Sequence, residues 1–306
     1  MSSVLVNDAR VVATFGRQCL VATSDGKLLE AVRRGKRSDV VVGDQVELAA
    51  AHTEPAVIET IAPRTSLLFR ADALRTKEMA ANIDQVAIVY APQPTYAEAF
   101  IWRALIAARA AGIEALVILN KTDLLATNPQ AENTRAQLQS LGYATLQIGA
   151  KHDAQAARHV LIEALRGRAT LLSGQSGMGK STVLNLLVPQ AAARTQEFST
   201  RLNLGKQTTT ASRWFDLPEA EGGGAVVDSP GFQAFGLSHL SAAAIATAMP
   251  DLAPYLGQCR FNDCQHLQEP GCAVQAAVER GAIDANRYAF FRELAQEARA
   301  RQRQLK

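Results

Sequence analysis

Gly174-Gln175-Ser176-Gly177-Met178-Gly179-Lys180-Ser181 matches the pattern G-x-x-x-x-G-K-[ST]. The apolar stretch before it, Ala169–Leu172, reads as a strand, and Thr182–Val188 after it reads as an apolar helix. Strand, glycine-rich turn and helix in that order make a P-loop. A glycine-rich turn matching by chance would not bring the strand and the helix with it. The glycines allow the backbone N–H groups of Gln175, Ser176, Gly177 and Met178 to converge on one anion, at the positive end of the helix that follows. Lys180 is placed to reach a β- and γ-phosphate, and Ser181 to ligate Mg²⁺. Thr182, next on the helix, completes the phosphate-binding stretch.

Four further stretches extend this site. Asn120-Lys121-Thr122-Asp123 follows the apolar run Ala115–Leu119 and resembles the guanine-reading motif of GTPases. A carboxylate at Asp123 accepts from both N1–H and the N2 amine of guanine, a donor pair that adenine lacks. Such a site rejects the wrong base because its polar groups would be left unpaired. Ile148-Gly149-Ala150-Lys151 follows another candidate strand, Thr145–Ile148, and resembles the Ser-Ala-Lys loop, in which the Ala N–H meets the guanine keto oxygen. Asp228-Ser229-Pro230-Gly231 follows the strand Gly224–Val227 and has the Asp-x-x-Gly form: Asp228 holds Mg²⁺ through water, and the Gly231 N–H meets the γ-phosphate. Between the P-loop and Asp228 lies Thr208-Thr209-Thr210. Thr209 is chosen as the threonine that closes over Mg²⁺, with Thr208 and Thr210 as its neighbours in contention. Lys180, Thr209 and Gly231 are thus the expected catalytic set.

An ordinary GTPase runs P-loop, Thr, Asp-x-x-Gly, Asn-Lys-x-Asp, Ser-Ala-Lys. This chain places the last two first. Cyclic rotation preserves every neighbour relation, so the expectation is a circularly permuted α/β P-loop GTPase domain over residues 73–237. Chain ends lie close together in many domains, so permutation is physically cheap. Val86–Tyr90 and Ala115–Leu119 have the continuous apolar character of buried parallel strands. Ile101–Ala111 and Ala154–Leu165 read as the helices between strands.

Residues 1–70 read as a small barrel. Val11–Phe15, Cys19–Thr23, Val40–Val42, Val46–Leu48 and Val57–Ile61 are short β-rich runs separated by turn signals. An OB-fold is the expected form, with an SH3-like barrel as the competing one. Arg33, Arg34, Lys36 and Arg37 are then expected on a loop, as a patch facing nucleic acid. Past Leu237 the strands cease. Residues 238–306 read as a mostly helical module, with helices over Ser241–Met249, Ala273–Glu279 and Asp284–Gln302. Within it, Cys259, Cys264, His266 and Cys272 supply three thiolates and one imidazole. That set closes a tetrahedral, structural Zn²⁺ site with no open position.

Composition sets the bounds. With 48% hydrophobic and 20% charged residues in 306, the chain is neither disordered nor fibrous. No apolar run approaches the ~18 residues of a membrane span. The first ten residues carry Asn7, Asp8 and Arg10 where a signal peptide needs an apolar core, so a cytoplasmic protein with no membrane partner is expected. A net charge of +3 says little by itself, but residues 280–306 hold seven basic side chains against three acidic ones. That tail suits a nucleic-acid surface as well as it suits a solvated face.

The combination resembles the RsgA (YjeQ) family of bacterial GTPases that depend on the small ribosomal subunit. It does so through the P-loop as quoted, Asp228-Ser229-Pro230-Gly231-Phe232, the zinc stretch running on through Glu269-Pro270-Gly271-Cys272-Ala273-Val274, and Arg287-Tyr288. The resemblance covers nearly the whole chain. It implies GTP as substrate and GDP as product, with Mg²⁺ and one structural Zn²⁺. The implied partners are the small ribosomal subunit and its rRNA, and the implied role is in late subunit maturation. A monomer is expected. Two positions depart from the family pattern: Gln207 where a His usually precedes the threonines, and Gly149 in place of Ser. Phe232 occupies the place where Ras-type enzymes carry a water-orienting Gln, so slow intrinsic hydrolysis is expected, with Gln207, Gln233 or the ribosome supplying the missing help. The competing reading is an RNA-binding regulatory module that uses GTP as a conformational ligand with negligible turnover.

Overall fold

The computed structural model describes residues 8–35, 39–49, 54–71, 76–191, 198, 212–229 and 235–304. Lys36, Arg37, Gln207, the threonine run including Thr209, Gly231, Phe232 and Gln233 lie outside the described residues.

The N-terminal barrel is built from β1 (Asp8–Phe15), β2 (Gln18–Thr23), β3 (Leu28–Arg33), β4 (Gln45–Leu48) and β5 (Ala56–Ile61). The order β1-β2-β3-β5-β4, closed by β1 pairing with β4, is that of an OB-fold. Its interior is Val11, Val21, Ala31, Val46 and Ile58, alternate residues of each strand turned inward.

Two expectations fail here. Val40–Val42 is no strand. Val41 and Val42 are buried as packing, and only Val42 forms a bridge, to Ala80. The missing strand is β3, and Arg33 lies in it rather than on a loop. The Arg33 guanidinium donates to the Glu59 carbonyl at 2.5 Å and faces Asp39 at 3.4 Å, which turns it into the barrel wall instead of toward a partner.

A hairpin, β6 (Leu67–Ala71) and β7 (Thr76–Ala81), leads into the central sheet. There β8 (Gln85–Tyr90), β9 (Glu114–Leu119), β10 (Ala144–Gln147), β11 (Ala169–Ser173) and β13 (Ala225–Asp228) run parallel in the order β10-β9-β8-β11-β13. Strand β12 (Arg213–Asp216) joins antiparallel to β13, and β1 of the barrel then pairs with β12 through Ala13 and Arg213. Barrel and central sheet are therefore one eleven-stranded sheet. Every residue of β8 is buried, as a strand covered on both faces must be.

Helices α1 (Glu98–Ala110), α2 (Gln130–Ser140), α3 (Ala154–Leu165) and α4 (Lys180–Leu187) accompany the sheet. Helix α1 buries Phe100, Ile101, Trp102, Leu105 and Ile106. Its breadth of apolar surface reflects a second neighbour, the C-terminal module of α5 (Ala242–Ala248), α6 (Ala273–Glu279) and α7 (Ala285–Gln304). Arg287 lies 3.7 Å above the Trp102 ring and pairs with Asp251 at 2.9 Å, while Arg103 pairs with Glu297. Among the described residues no helix is long and apolar enough to cross a membrane.

Candidate nucleotide site and metal centre

The order in which the strands sit creates a crevice. From β8 the chain moves outward through β9 and β10, then returns to the other side of β8 with β11. Ligands of open α/β sheets bind at the carboxyl ends of the strands where such a reversal occurs. The loops after β8, β9, β10, β11 and β13 all open there.

Close packing at this edge explains the P-loop glycines. Gly174 has φ +148°, and a Cβ on it would lie 2.2 Å from the Val89 carbonyl oxygen. Gly179 has φ +96°, and a Cβ there would lie 2.2 Å from Asn120 Nδ2. Asn120, 2% exposed, fills that space: its Nδ2 donates to the Met178 carbonyl at 3.0 Å, and its Oδ1 accepts from the Ala150 N–H at 3.1 Å. One side chain thus ties together the loops after β9, β10 and β11. Lys121, in the left-handed region at φ +56°, adds bonds from Nζ to the carbonyls of Gln93 and Gly177 at 2.8 and 2.7 Å. The Gln175 side chain accepts from the Ala97 N–H at the start of α1. The Thr122 N–H donates to the Ile148 carbonyl at 3.3 Å. Asp123 and Lys151 stand exposed at the rim, outside the packing that fixes their neighbours.

The P-loop end of the crevice is organised by charge. Lys180 donates to the carbonyls of Gly174 and Gln175. Burial pulls its ammonium below the ordinary lysine value, and Asp228 opposes that shift. Asp228 is itself pushed up by burial, with Arg213 and Lys180 pulling it back. Ser181 is exposed at the helix start and Thr182 half-buried beside it, while the Ser176 backbone lies in the exposed part of the loop. Arg213 carries no motif, and nothing in the sequence patterns singles it out. The one signal for it is the β-rich run Arg213-Trp214-Phe215-Asp216 just past the threonines.

In the C-terminal module the ligand atoms of Cys259, Cys264, His266 and Cys272 all lie within 4.8 Å of one another. His266 Nδ1 is 3.4 Å from Cys259 Sγ and 3.5 Å from Cys272 Sγ, and those two sulfurs are 4.0 Å apart. A zinc tetrahedron with ordinary Zn–S and Zn–N bonds has edges of roughly 3.5–3.8 Å. The cluster fits zinc on spacing and on donor chemistry. Around it, Tyr288 Oη donates to the His266 carbonyl at 2.8 Å. Glu269 accepts from the N–H groups of Leu267, Gln268 and Gln265. Burial pushes the Glu269 carboxyl up, but those N–H groups outweigh it and hold the group at about 2.

Comparison with known proteins sharpens this. The RsgA GTPase family model matches residues 61–238. The chain belongs to the RsgA GTPase family. Membership makes it a GTP-hydrolysing enzyme, for which GTP, GDP and Mg²⁺ are the associated ligands. A relative from Paraburkholderia phytofirmans, called small ribosomal subunit biogenesis GTPase RsgA, is 47% identical over 291 residues, spanning 94% of this chain and 92% of its own. One of the same name from Ralstonia nicotianae is 44% identical over 289 residues, spanning 94% and 91%. The crystal structure of YjeQ from Thermotoga maritima superposes with a TM-score of 0.70 at 26% identity, covering 96% of this chain and 99% of that one. YloQ, described as a circularly permuted GTPase, shares the fold with a TM-score of 0.66 at 24% identity, covering 96% and 95%. The described residues thus hold an OB-fold, a circularly permuted P-loop sheet, and a C-terminal helical module whose Cys₃His cluster fits zinc.

Proposed function

We propose that this chain hydrolyses GTP to GDP and phosphate during late maturation of the small ribosomal subunit, with the subunit stimulating a slow intrinsic rate. What supports the base assignment is Asn120, whose two bonds join the P-loop to the Ala150 loop, with Asp123 three residues further along the Asn120 loop. Asn120, Lys121, Thr122, Asp123, Ala150 and Lys151 hold guanine. Residues 174–182 hold the phosphates. Ser181, Thr209 and Asp228 would hold Mg²⁺, which would supply charge neutralisation at the phosphates. Lys180 follows the transferring phosphoryl group with its positive charge, and the Gly231 N–H meets the γ-phosphate. Phe232 cannot orient water, which is why a partner must order the site.

The three modules divide at residues 1–70, 73–237 and 238–306. The rRNA contact falls to the basic helix α7 and to Arg34 at the barrel's rim, and the protein acts as a cytoplasmic monomer. The relatives' printed name supports the small subunit as partner. Phosphate release measured with and without small subunits tests the reading. A rise of about a hundredfold or more is expected, within the span that partner-supplied groups reach in related enzymes. Nucleotide binding with no turnover in either condition would leave the regulatory RNA-binding reading.

A further inference from the structure

Arg213 is a buried cation that no sequence motif explains. It is 8% exposed and stands opposite Asp228 across the β12–β13 ladder, so the two side chains leave the same face of the sheet. Because β12 runs antiparallel to β13, its first residue lies at the carboxyl end of β13, beside the P-loop edge. On the other side, β12 meets β1, with Ala13 opposite Arg213 and Phe15 two residues further along. Phe15 therefore lies beyond Arg213, past the carboxyl end of β13. The guanidinium carbon is 6.0 Å from the Phe15 ring centre, so the side chain leans toward the nucleotide edge.

Two features are costly without a ligand. Among the described residues, Arg213 Nε is buried and has no hydrogen-bond partner. Among the described residues, Lys180 and Arg213 also share a single carboxylate, Asp228, which leaves the group with an excess of positive charge. An anion arriving between them removes both costs. The position specifies which anion, because Arg213 and Asp228 stand at the carboxyl end of β13, on the opposite side of the P-loop strand β11 from β9 and Asn120. The geometry points to Arg213 as a γ-phosphate-binding residue: its guanidinium, walled by Phe15 of the barrel, gives the terminal phosphate of GTP a second cation beside Lys180. This inference rests on the nucleotide placement proposed above.

The test is the affinity of the full chain for fluorescent GDP and for a fluorescent non-hydrolysable GTP analogue, both with Mg²⁺. Arg213→Met is expected to weaken the analogue about tenfold or more, the cost of one charge-assisted bond, while GDP changes less than about twofold. Arg213→Lys should recover part of the loss. GDP affinity doubles as the fold control. If Arg213→Met does not fold, Arg213→Gln, which keeps length and polarity but drops the charge, must show the same selective loss. Equal losses for GDP and the analogue, or no loss for either, would overturn the inference. Failure of the wild type to prefer guanine nucleotides would instead sink the placement on which it rests.

Discussion

The two ends of the nucleotide crevice are built on different principles. At the base end, Asn120 and Lys121 make four hydrogen bonds to neighbouring loops, and the Cβ of any residue but glycine at 179 would collide with the asparagine. That end is assembled before a ligand arrives. At the phosphate end, Lys180 spends its donors on two P-loop carbonyls, and Arg213 and Asp228 face each other in a buried, unbalanced group. That end is charged but unfinished, and the ligand completes it. The difference follows what each end must recognise. The base is the same in GTP and GDP, whereas the phosphate end must tell them apart.

Breaking the base end should have the largest effect. Asn120→Ala leaves the Met178 carbonyl and the Ala150 N–H without partners in a buried place. Two such groups cost about 3 kcal/mol together, so affinity for GDP and GTP alike should fall about a hundredfold, read by fluorescent-nucleotide titration. Asp123→Asn is narrower. It removes the acceptor for the guanine donor pair, so GDP affinity should fall by roughly tenfold or more while xanthine nucleotides gain. Equal affinity of the wild type for ATP would refute the assignment behind it. Gly179→Ala should fall in the same range or below. Its strained φ and the push on Asn120 cost about 1–2 kcal/mol, a loss of up to roughly thirtyfold that is again equal for GDP and the GTP analogue. Zinc removal should matter least to the crevice. Chelation should open α6 and α7 to protease, yet leave GDP affinity within about twofold, because among the described residues the hydrogen bonds of the cluster all stay within the C-terminal module. Elemental analysis finding no zinc in fresh protein would remove the premise.

The parts legible in the sequence are those whose chemistry is local. Gly174 and Gly179 are glycines because of the backbone angles and crowding at their own positions, and the Cys259, Cys264, His266 and Cys272 cluster that fits zinc is named by type and spacing. What stayed hidden depends on distant partners. Strand β3, Leu28-Leu29-Glu30-Ala31-Val32-Arg33, lacks the strict alternation of a half-buried strand, and its pairing with β2 and β5 makes it one. Arg33 reads as a surface charge until the Glu59 carbonyl is seen beneath it. Val40–Val42 has strand composition but no ladder to join. Arg213 is one arginine among many until the register places it against Asp228.

The shared sheet also bears on how the chain can be made. Synthesis runs from the N-terminus, and domains tend to fold as they emerge. The barrel and the parallel strands β8, β9 and β10 are complete before any of β11, β12 or β13 exists. Yet those three late strands occupy the middle of the finished sheet, between β8 and β1. The nascent protein must therefore hold open a slot, with β8 exposing one unpaired edge and β1 another, until the late strands arrive to fill it. Pairings such as Ala13 with Arg213 close loops of about two hundred residues, the kind of contact that forms late and slowly. The loops around Asn120 and Ala150 are thus finished early on one flank of a gap, and the P-loop and Asp228 walls of the crevice are the last to be raised.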